Sequence, residues 1–317
     1  MTSQPLQPLI LQRADPFILR HSDGHYYFTA SVPEYDRIEV RRSPTLAGLA
    51  TADPAVVWRK PGTGAYSDLI WAPEIHFIQG AWYIYFAAAP SREIKDNLFQ
   101  HRMYVLTTRA ENPLGANWRF VGQVDTGVES FCLDATTFTH RGVLYYVWAQ
   151  KDLAVAGNSN LYIARMETPE RIATRPVRLS APELEWETRG FSVNEGPAVL
   201  VSHGRVFLTY SASATDENYC VGLLHAREDS DLLDPSSWTK SSEPVFRTCF
   251  EHGIYGPGHN SFTKSEDGKT DLIVYHARTY REIVGDPLWN PDRHTFVKPI
   301  RWMPDGMPSF GRASCLD

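Results

Sequence analysis

The chain has 317 residues, of which 43% are apolar and 12% aromatic, and its formal net charge is −6. It has no basic run of the kind that binds nucleic acid or an anionic membrane surface, so we expect neither partner. The longest apolar run, at 81–89, is far shorter than the about 18 apolar residues that suggest a membrane-spanning helix.

Residues 1–13 lack the cationic start, apolar stretch and small-residue cleavage site of a signal peptide. The cysteines show neither metal-ligand spacing nor close pairs, and we interpret them as reduced thiols; they are Cys132, Cys220, Cys249 and Cys315. Together these features predict a cytoplasmic enzyme.

Five segments share a polar or proline-containing opening, an apolar strand, a glycine turn and a second, aromatic-rich strand. In chain order they are ADPFILRHSDGHYYFTAS, WAPEIHFIQGAWYIYFAAA, LDATTFTHRGVLYYVWAQ, NEGPAVLVSHGRVFLTYSAS and GHNSFTKSEDGKTDLIVYHAR. The turn glycines recur about every 60 residues, at Gly24, Gly80, Gly142, Gly204 and Gly268. Because glycine adopts the positive φ that tight hairpins need, each segment is predicted to be a β-hairpin.

A third strand follows in most units, as in RIEVRRS, RMYVLTTR, NLYIARM and YCVGLLHAR. A period of about 60 residues with roughly four strands is typical of one propeller blade. We therefore predict an all-β, five-bladed β-propeller that occupies residues 1–317 as a single catalytic domain without an appended module. A β-sandwich with evenly spaced hairpins is the alternative. The connections at 91–101 and 279–294 are long enough to be rim loops around a pocket.

One position, eight or nine residues before each turn glycine, stands out in all five units. Its occupants are Asp15, Trp71, Asp134, Glu195 and His259. In a propeller the corresponding strands run along the central axis, so these residues should converge at one mouth of the channel. Each alone could be a turn cap or a core residue, but three converging carboxylates repel each other and lose solvation, which favours a functional site. Glycoside hydrolysis uses such a set, because one carboxyl protonates the departing oxygen and another activates water or attacks the sugar.

The runs ADPF, WAPE, LDAT, NEGP and GPGHNSF, in this order, resemble glycoside hydrolase family 43 over essentially the whole chain. The resemblance implies a five-bladed propeller that inverts the anomeric centre. It implies that Asp15 is the general base, that Glu195 is the general acid, and that Asp134 tunes the pKa and position of the acid. His259 matches a position that in many members binds Ca²⁺ or another cation near the axis, largely through water molecules.

Stretches such as VESFCLDATTF and EWETRGFSVNEGPAV look most like the exo-acting α-1,5-L-arabinofuranosidases of that family. This implies release of terminal α-L-arabinofuranosyl units from arabinan or arabino-oligosaccharides. We expect Trp71 to form a wall of the sugar subsite by stacking, and the resemblance implies that Arg278 binds substrate. Glu74 stands where many relatives have Asp; we interpret it as structural, with a general acid role as the runner-up. A β-xylosidase, or a non-catalytic propeller that binds carbohydrate or protein, remains the alternative.

Overall fold

The computed structural model describes residues 6–313, and its strands form five successive antiparallel sheets in which strand order follows chain order. Blade one contains β1 (Ala14–Arg20), β2 (Tyr26–Ser31), β3 (Arg37–Ser43) and β4 (Ala55–Arg59). Blade two contains β5 (Asp68–Ile78), β6 (Ala81–Ala89), β7 (Arg102–Thr108) and β8 (Arg119–Gln123). Blade three contains β9 (Cys132–His140), β10 (Val143–Gln150), β11 (Asn160–Thr168), β12 (Arg171–Ile172) and β13 (Val177–Ser180).

Blade four contains β14 (Asn194–Ser202), β15 (Arg205–Ala212), β16 (Cys220–Arg227) and β17 (Thr239–Lys240). Blade five contains β18 (Tyr255–Lys264), β19 (Asp271–Arg278) and β20 (His294–Pro299), and a small hairpin of β21 (Arg301–Trp302) and β22 (Pro308–Ser309) follows. Short 3₁₀ helices lie in the connections, at Ala47–Ala50, Pro113–Gly115, Glu185–Glu187, Pro235–Ser237 and Phe250–His252. No helix within 6–313 is long and apolar enough to cross a membrane. The predicted five-bladed propeller is confirmed.

The ring closes between the first and last blades through backbone pairing. Ile10 forms an antiparallel bridge with Thr295, and the N–H of Leu9 donates to the Thr295 carbonyl at 2.7 Å. The segment before β1 therefore extends the sheet of blade five. Ser261 on β18 also donates its hydroxyl to the Pro16 carbonyl at 2.7 Å, which joins the innermost strands of the two blades.

Large aromatic side chains pack between neighbouring blades and account for much of the aromatic content. Trp82 and Trp148, both almost completely buried, belong to separate apolar clusters. Burying each such side chain stabilises the fold by about 2 kcal/mol or more. Cys132, Cys220 and Cys249 are also buried, whereas Cys315 lies outside the described residues.

The innermost strand of every blade is interrupted by a bulge near its start. The register of β1, β5, β9, β14 and β18 shifts there. In every blade a residue within a shift has a left-handed backbone: Asp15 (φ 54°), Ala72 (φ 44°), Asp134 (φ 50°), Gly196 (φ 53°) and His259 (φ 42°). β5 and β18 each contain a further shift, with Leu69 (φ 53°) and Gly256 (φ 57°) left-handed. Non-glycine residues adopt this conformation at a cost of about 1–2 kcal/mol. Bulges are common beside active sites because they re-aim side chains.

The bulges correct the equivalence that we inferred from sequence spacing. Asp15, Asp134 and His259 occupy the left-handed position of their blades. Trp71 and Glu195 come one residue earlier, before Ala72 and Gly196. Counting from the turn glycines missed this offset because the distance from the left-handed residue to the turn glycine is nine residues in blades one and five and eight in the others.

Candidate active site

A cavity of about 290 Å³ opens at one mouth of the propeller axis. Its lining includes all five predicted axial residues, Asp15, Trp71, Asp134, Glu195 and His259. The two predicted rim loops contribute to the same wall, with Phe99 from the first and Leu288 from the second. The predicted convergence of three carboxyl groups is therefore found in the structure.

Asp15 lies in a setting that stabilises its charged form. The Ser31 hydroxyl donates to Oδ2 at 2.5 Å, and Nη1 of Arg293 lies 3.5 Å from Oδ1. The backbone N–H of Asp15 donates to Nδ1 of His276 at 3.0 Å, which fixes the bulge. Burial alone raises the pKa of Asp15, but the attraction of His259 and Arg293 and the contact with His276 outweigh it, and the pKa lies well below its ordinary value. Asp15 is therefore ionised at neutral pH.

The surroundings of Glu195 favour its protonated form instead. The pKa of Glu195 is raised to about 7, because burial and, to a smaller extent, the charge of Asp15 outweigh the lowering effects of the hydrogen bond from Tyr219 and the charge of Arg293. The Tyr219 hydroxyl donates to Oε1 at 2.8 Å. Near neutral pH this carboxyl can therefore hold the proton that a general acid must deliver.

Asp134 is coupled electrostatically to Glu195. Burial raises the pKa of Asp134, and the negative charges of Glu195 and Asp15 raise it further, well above the ordinary value. The backbone N–H of Gly196 donates to Oδ2 of Asp134 at 3.1 Å, so Asp134 also contacts the strand that carries Glu195. Two carboxyls in this arrangement resist a second negative charge, which would keep a proton on the pair.

His259 lies between two of the carboxylates. Its Nδ1 is 3.3 Å from Oδ1 of Asp15 and 3.7 Å from Oδ2 of Asp134. Burial lowers the pKa of His259, so the ring is neutral at pH 7 and Arg293 is the charged partner of Asp15 at that pH. Within 6–313 no three His, Cys, Asp or Glu side chains are arranged to hold a metal ion. Protein ligands alone therefore do not form a cation site at His259, and the cation held through water molecules stays a prediction.

Trp71 forms part of the cavity wall and is supported from behind by another ring. Its indole stacks on His101 with ring centroids 4.0 Å apart and an interplanar angle of 25°. Burial lowers the pKa of His101 to about 3, so the supporting ring is neutral. Phe99 meets Trp71 edge-on at 5.5 Å. The stacking of Trp71 on a sugar stays a prediction.

Arg278 does not line the cavity, and its contact with substrate stays a prediction. Its guanidinium donates to the carbonyls of Thr215 at 2.5 Å and Pro287 at 2.7 Å, and to Oδ1 of Asn290 at 3.2 Å. Thr215 and Pro287 belong to the rim. Arg278 therefore shapes the cavity by fastening two loops, because its donors are directed at those loops.

The arginine that does line the cavity, Arg293, was missed by the sequence analysis. It is 6% exposed, and Nη2 donates to the Tyr35 hydroxyl at 2.9 Å. It lies at the end of the 279–294 connection, where the loop prediction was the only available signal. Tyr219 was also missed as a site residue, because the sequence analysis included it only as the first residue of the predicted third strand YCVGLLHAR, whereas it lies in the loop just before β16.

Glu74, the runner-up for the general acid, does not line the cavity. Its Oε2 lies 2.9 Å from Nε2 of His76, and both side chains are buried. This pairing agrees with the structural interpretation of Glu74.

Comparisons with known proteins show which family and which relatives the chain is similar to. The model of the family described as Glycosyl hydrolases family 43 matches residues 6–308. An extracellular exo-α-(1→5)-L-arabinofuranosidase of Streptomyces avermitilis is 55% identical over 304 residues, which cover 96% of this chain and 62% of that protein. A protein of the same name from Streptomyces chartreusis is 52% identical over 88% of this chain and 84% of its own.

The crystal structure of an α-L-arabinofuranosidase from Lactobacillus brevis superimposes with a TM-score of 0.96 at 56% identity, covering 98% of each chain. This chain spans 62% of the length of the Streptomyces avermitilis protein and of the α-L-arabinofuranosidase 43 of Humicola insolens.

The predicted cytoplasmic location is wrong. Both Streptomyces relatives are named as extracellular enzymes, which points to secretion. The expectation depended on residues 1–13 and on the pattern of the cysteines, and the names of these relatives overturn it.

Proposed function

The chain belongs to glycosyl hydrolase family 43, and we propose that it is an exo-acting α-L-arabinofuranosidase that works outside the cell. Its substrates would be terminal α-L-arabinofuranosyl units of arabinan or arabino-oligosaccharides. One observation carries the proposal: a single cavity contains Asp15, whose pKa is lowered, and Glu195, whose pKa is raised to about 7. Titratable pairs whose environments separate their pKa values are typical of acid and base partners. The arabinofuranosidase names of the relatives support the choice of sugar.

The proposed reaction is a single displacement. Asp15 removes a proton from a water molecule, which attacks the anomeric carbon on the face opposite the leaving group. Glu195 transfers its proton to the glycosidic oxygen as that bond breaks, and no covalent sugar–enzyme intermediate forms. Before the reaction Asp134 and Glu195 together retain a proton, because two negative charges at this spacing are unfavourable. General acid and general base each contribute about 10²–10⁴-fold in rate.

The rim of the cavity supports the exo mode. The Tyr35 hydroxyl donates to the Leu288 carbonyl at 2.6 Å, and the Arg92 guanidinium lies 4.8 Å from the centre of the Trp289 ring. The first contact joins the β2–β3 connection of blade one to the rim loop of blade five, and the second joins the rim loops of blades two and five, so that a wall forms on one side. A substrate chain could not pass through that wall, so only its end would enter.

The cavity continues into a shallow groove between the rim loop of blade two and the segment before β14. The groove shares Ile94, Asn97, Gly190 and Phe191 with the cavity and is also lined by Asn158 and Ser192. Phe191 is 39% exposed and lies four residues before Glu195 in the sequence. A leaving group protonated by Glu195 would therefore leave along this groove.

The alternatives receive less support. A β-xylosidase would use the same three carboxyls, but the relatives that are 51–55% identical are named arabinofuranosidases. A purely binding propeller would not need a buried acid and a buried base with opposite pKa shifts. We therefore propose that this propeller is the catalytic unit.

Product analysis tests the proposal. The protein is incubated with linear α-1,5-arabino-oligosaccharides, and products are followed by chromatography alongside rates on 4-nitrophenyl α-L-arabinofuranoside and β-D-xylopyranoside. We expect arabinose as the only early product and little release from the xyloside. Early disaccharides or trisaccharides would contradict the exo mode, and a faster xyloside reaction would contradict the choice of sugar.

A further inference from the structure

Glu187 is a completely buried carboxylate that does not line the active-site cavity. It ends the short helix Glu185–Glu187, which precedes β14. Its side chain is 0% exposed, and Nζ of Lys240 lies 2.7 Å from its Oε1. Lys240 belongs to β17, the outermost strand of blade four. The ion pair therefore joins the connection from blade three to the outer edge of blade four.

Both carboxylate oxygens of Glu187 accept hydrogen bonds. The Tyr210 hydroxyl donates to Oε1 at 2.7 Å, and the backbone N–H groups of Glu183 and Leu184 donate to Oε2 at 2.9 and 2.8 Å. Burying an ion pair costs desolvation energy, and apolar residues of similar volume often stabilise a protein as well or better. Stability alone is therefore a weak explanation for this pair, and its remaining contact becomes informative.

The remaining contact of Glu187 is with Asn194, the residue before the proposed general acid Glu195. Nδ2 of Asn194 donates to Oε1 of Glu187 at 3.1 Å, and the Ser180 hydroxyl donates to Oδ1 of Asn194 at 2.7 Å. Asn194 is 0% exposed and immediately precedes Glu195. Its backbone N–H also donates to the Ser159 carbonyl at 3.1 Å. The amide of Asn194 is thus fixed on both sides, directly before the bulge at Gly196.

We propose that Glu187 is a positioning residue for the general acid: it holds Asn194 at the start of β14, and Asn194 sets the place of the Glu195 carboxyl. This inference rests on the proposed function. Glu187 does not touch the cavity and takes no part in proton transfer. It acts only through the side-chain amide of Asn194 and the peptide unit that joins Asn194 to Glu195.

The role predicts a particular kinetic signature. A displacement of about 1 Å at a reacting group can cost about 10²-fold in rate. A misplaced acid slows the loss of a sugar alkoxide, which needs a proton, much more than the loss of a nitrophenolate, which does not. A merely structural role would lower both rates by the same factor, because it would reduce only the amount of folded enzyme.

The experiment measures the ratio of kcat/KM on α-1,5-arabinobiose to kcat/KM on 4-nitrophenyl α-L-arabinofuranoside. The ratio is independent of the folded fraction, so it is informative even for an unstable variant. The variants are Asn194→Ala, which removes the link, and Glu187→Gln, which weakens the anchor. Tyr210→Phe is the matched control, because it removes another donor to Oε1 of Glu187 but does not touch β14 through Asn194.

We expect the ratio to fall by about tenfold or more in Asn194→Ala and Glu187→Gln, and to stay within about twofold in Tyr210→Phe. An unchanged ratio in Glu187→Gln, or an equal change in Tyr210→Phe, would overturn the inference. Failure of the wild-type protein to hydrolyse either substrate would instead overturn the proposed function, so the two failures are distinguishable.

Discussion

The hydroxyl of Tyr219 donates a hydrogen bond to Oε1 of Glu195 at 2.8 Å, and the ring of the same tyrosine stacks on His276. The ring centroids are 5.6 Å apart and the planes differ by 3°. His276 in turn accepts the backbone N–H of Asp15. One tyrosine therefore connects the surroundings of the proposed acid with those of the proposed base.

Tyr219→Phe should move the alkaline limb of activity to higher pH. The hydrogen bond from Tyr219 stabilises the carboxylate form of Glu195 and lowers its pKa, so loss of the bond raises the pKa. Because the acid must be protonated, kcat/KM should persist to higher pH while its maximum falls. A pH profile of kcat/KM checks this, and a limb that stays in place or moves to lower pH would contradict it.

Arg293→Met should make the enzyme sensitive to acid. Arg293 helps to keep the pKa of Asp15 below its ordinary value against the effect of burial. Without the cation the pKa of Asp15 rises, and the acidic limb of the pH profile should move to higher pH, since the base must be ionised. Arg293 also lowers the pKa of Glu195, so in Arg293→Met the alkaline limb of the pH profile should move to higher pH as well.

Arg278→Met is the matched control for this experiment. Arg278 fastens rim loops through carbonyl oxygens and does not line the cavity. Its loss should raise KM or lower thermal stability without moving the acidic limb. An acidic limb that shifts equally in both variants would remove the assignment of Arg293 to Asp15.

Substitution of the two proposed catalytic carboxyls should separate their roles by leaving group. Glu195→Gln should lose about 10²–10⁴-fold on arabino-oligosaccharides but much less on a nitrophenyl glycoside, which leaves without protonation. Asp15→Asn should lose activity on both substrates alike, since water must be activated whichever group leaves. Rates on the two substrates for each variant provide the measurement. Equal losses for Glu195→Gln on both substrates would exclude it as the acid.

The sequence predicted the architecture well because the blades repeat. Each hairpin has a turn glycine at a regular interval, and Gly24 and Gly80 do adopt the left-handed φ that the prediction required, 83° and 78°. The convergence of Asp15, Asp134 and Glu195 followed from that repeat, since residues at the start of inner strands meet at the axis.

Residues that reach the site from loops could not be predicted in the same way. Arg293 and Tyr219 have no counterpart in the repeat, and only the folded chain brings them to Asp15 and Glu195. Arg278 shows what a strand pattern leaves open. It ends β19 beside the site, but strand alternation does not reveal that two loop carbonyls already bind its guanidinium.

The cation predicted near His259 can be tested by metal analysis and by melting. A chelator should lower the melting temperature of the wild-type protein and have no such effect on His259→Ala, whose site would no longer hold the ion. Elemental analysis of the purified protein should find about one equivalent of Ca²⁺ or another divalent cation. Unchanged melting together with no bound metal would leave His259 with only its contacts to Asp15 and Asp134.

The stereochemistry of the first product tests the central claim most directly. If Asp15 activates water opposite the bond that Glu195 protonates, an α-arabinofuranoside must first yield the β-anomer of arabinose. Proton NMR during early turnover, before mutarotation mixes the anomers, shows the anomeric signal. The account predicts the β signal first. An α signal first would mean that a carboxylate attacks the sugar and a covalent intermediate forms, and it would contradict the assignment of Asp15 as the general base.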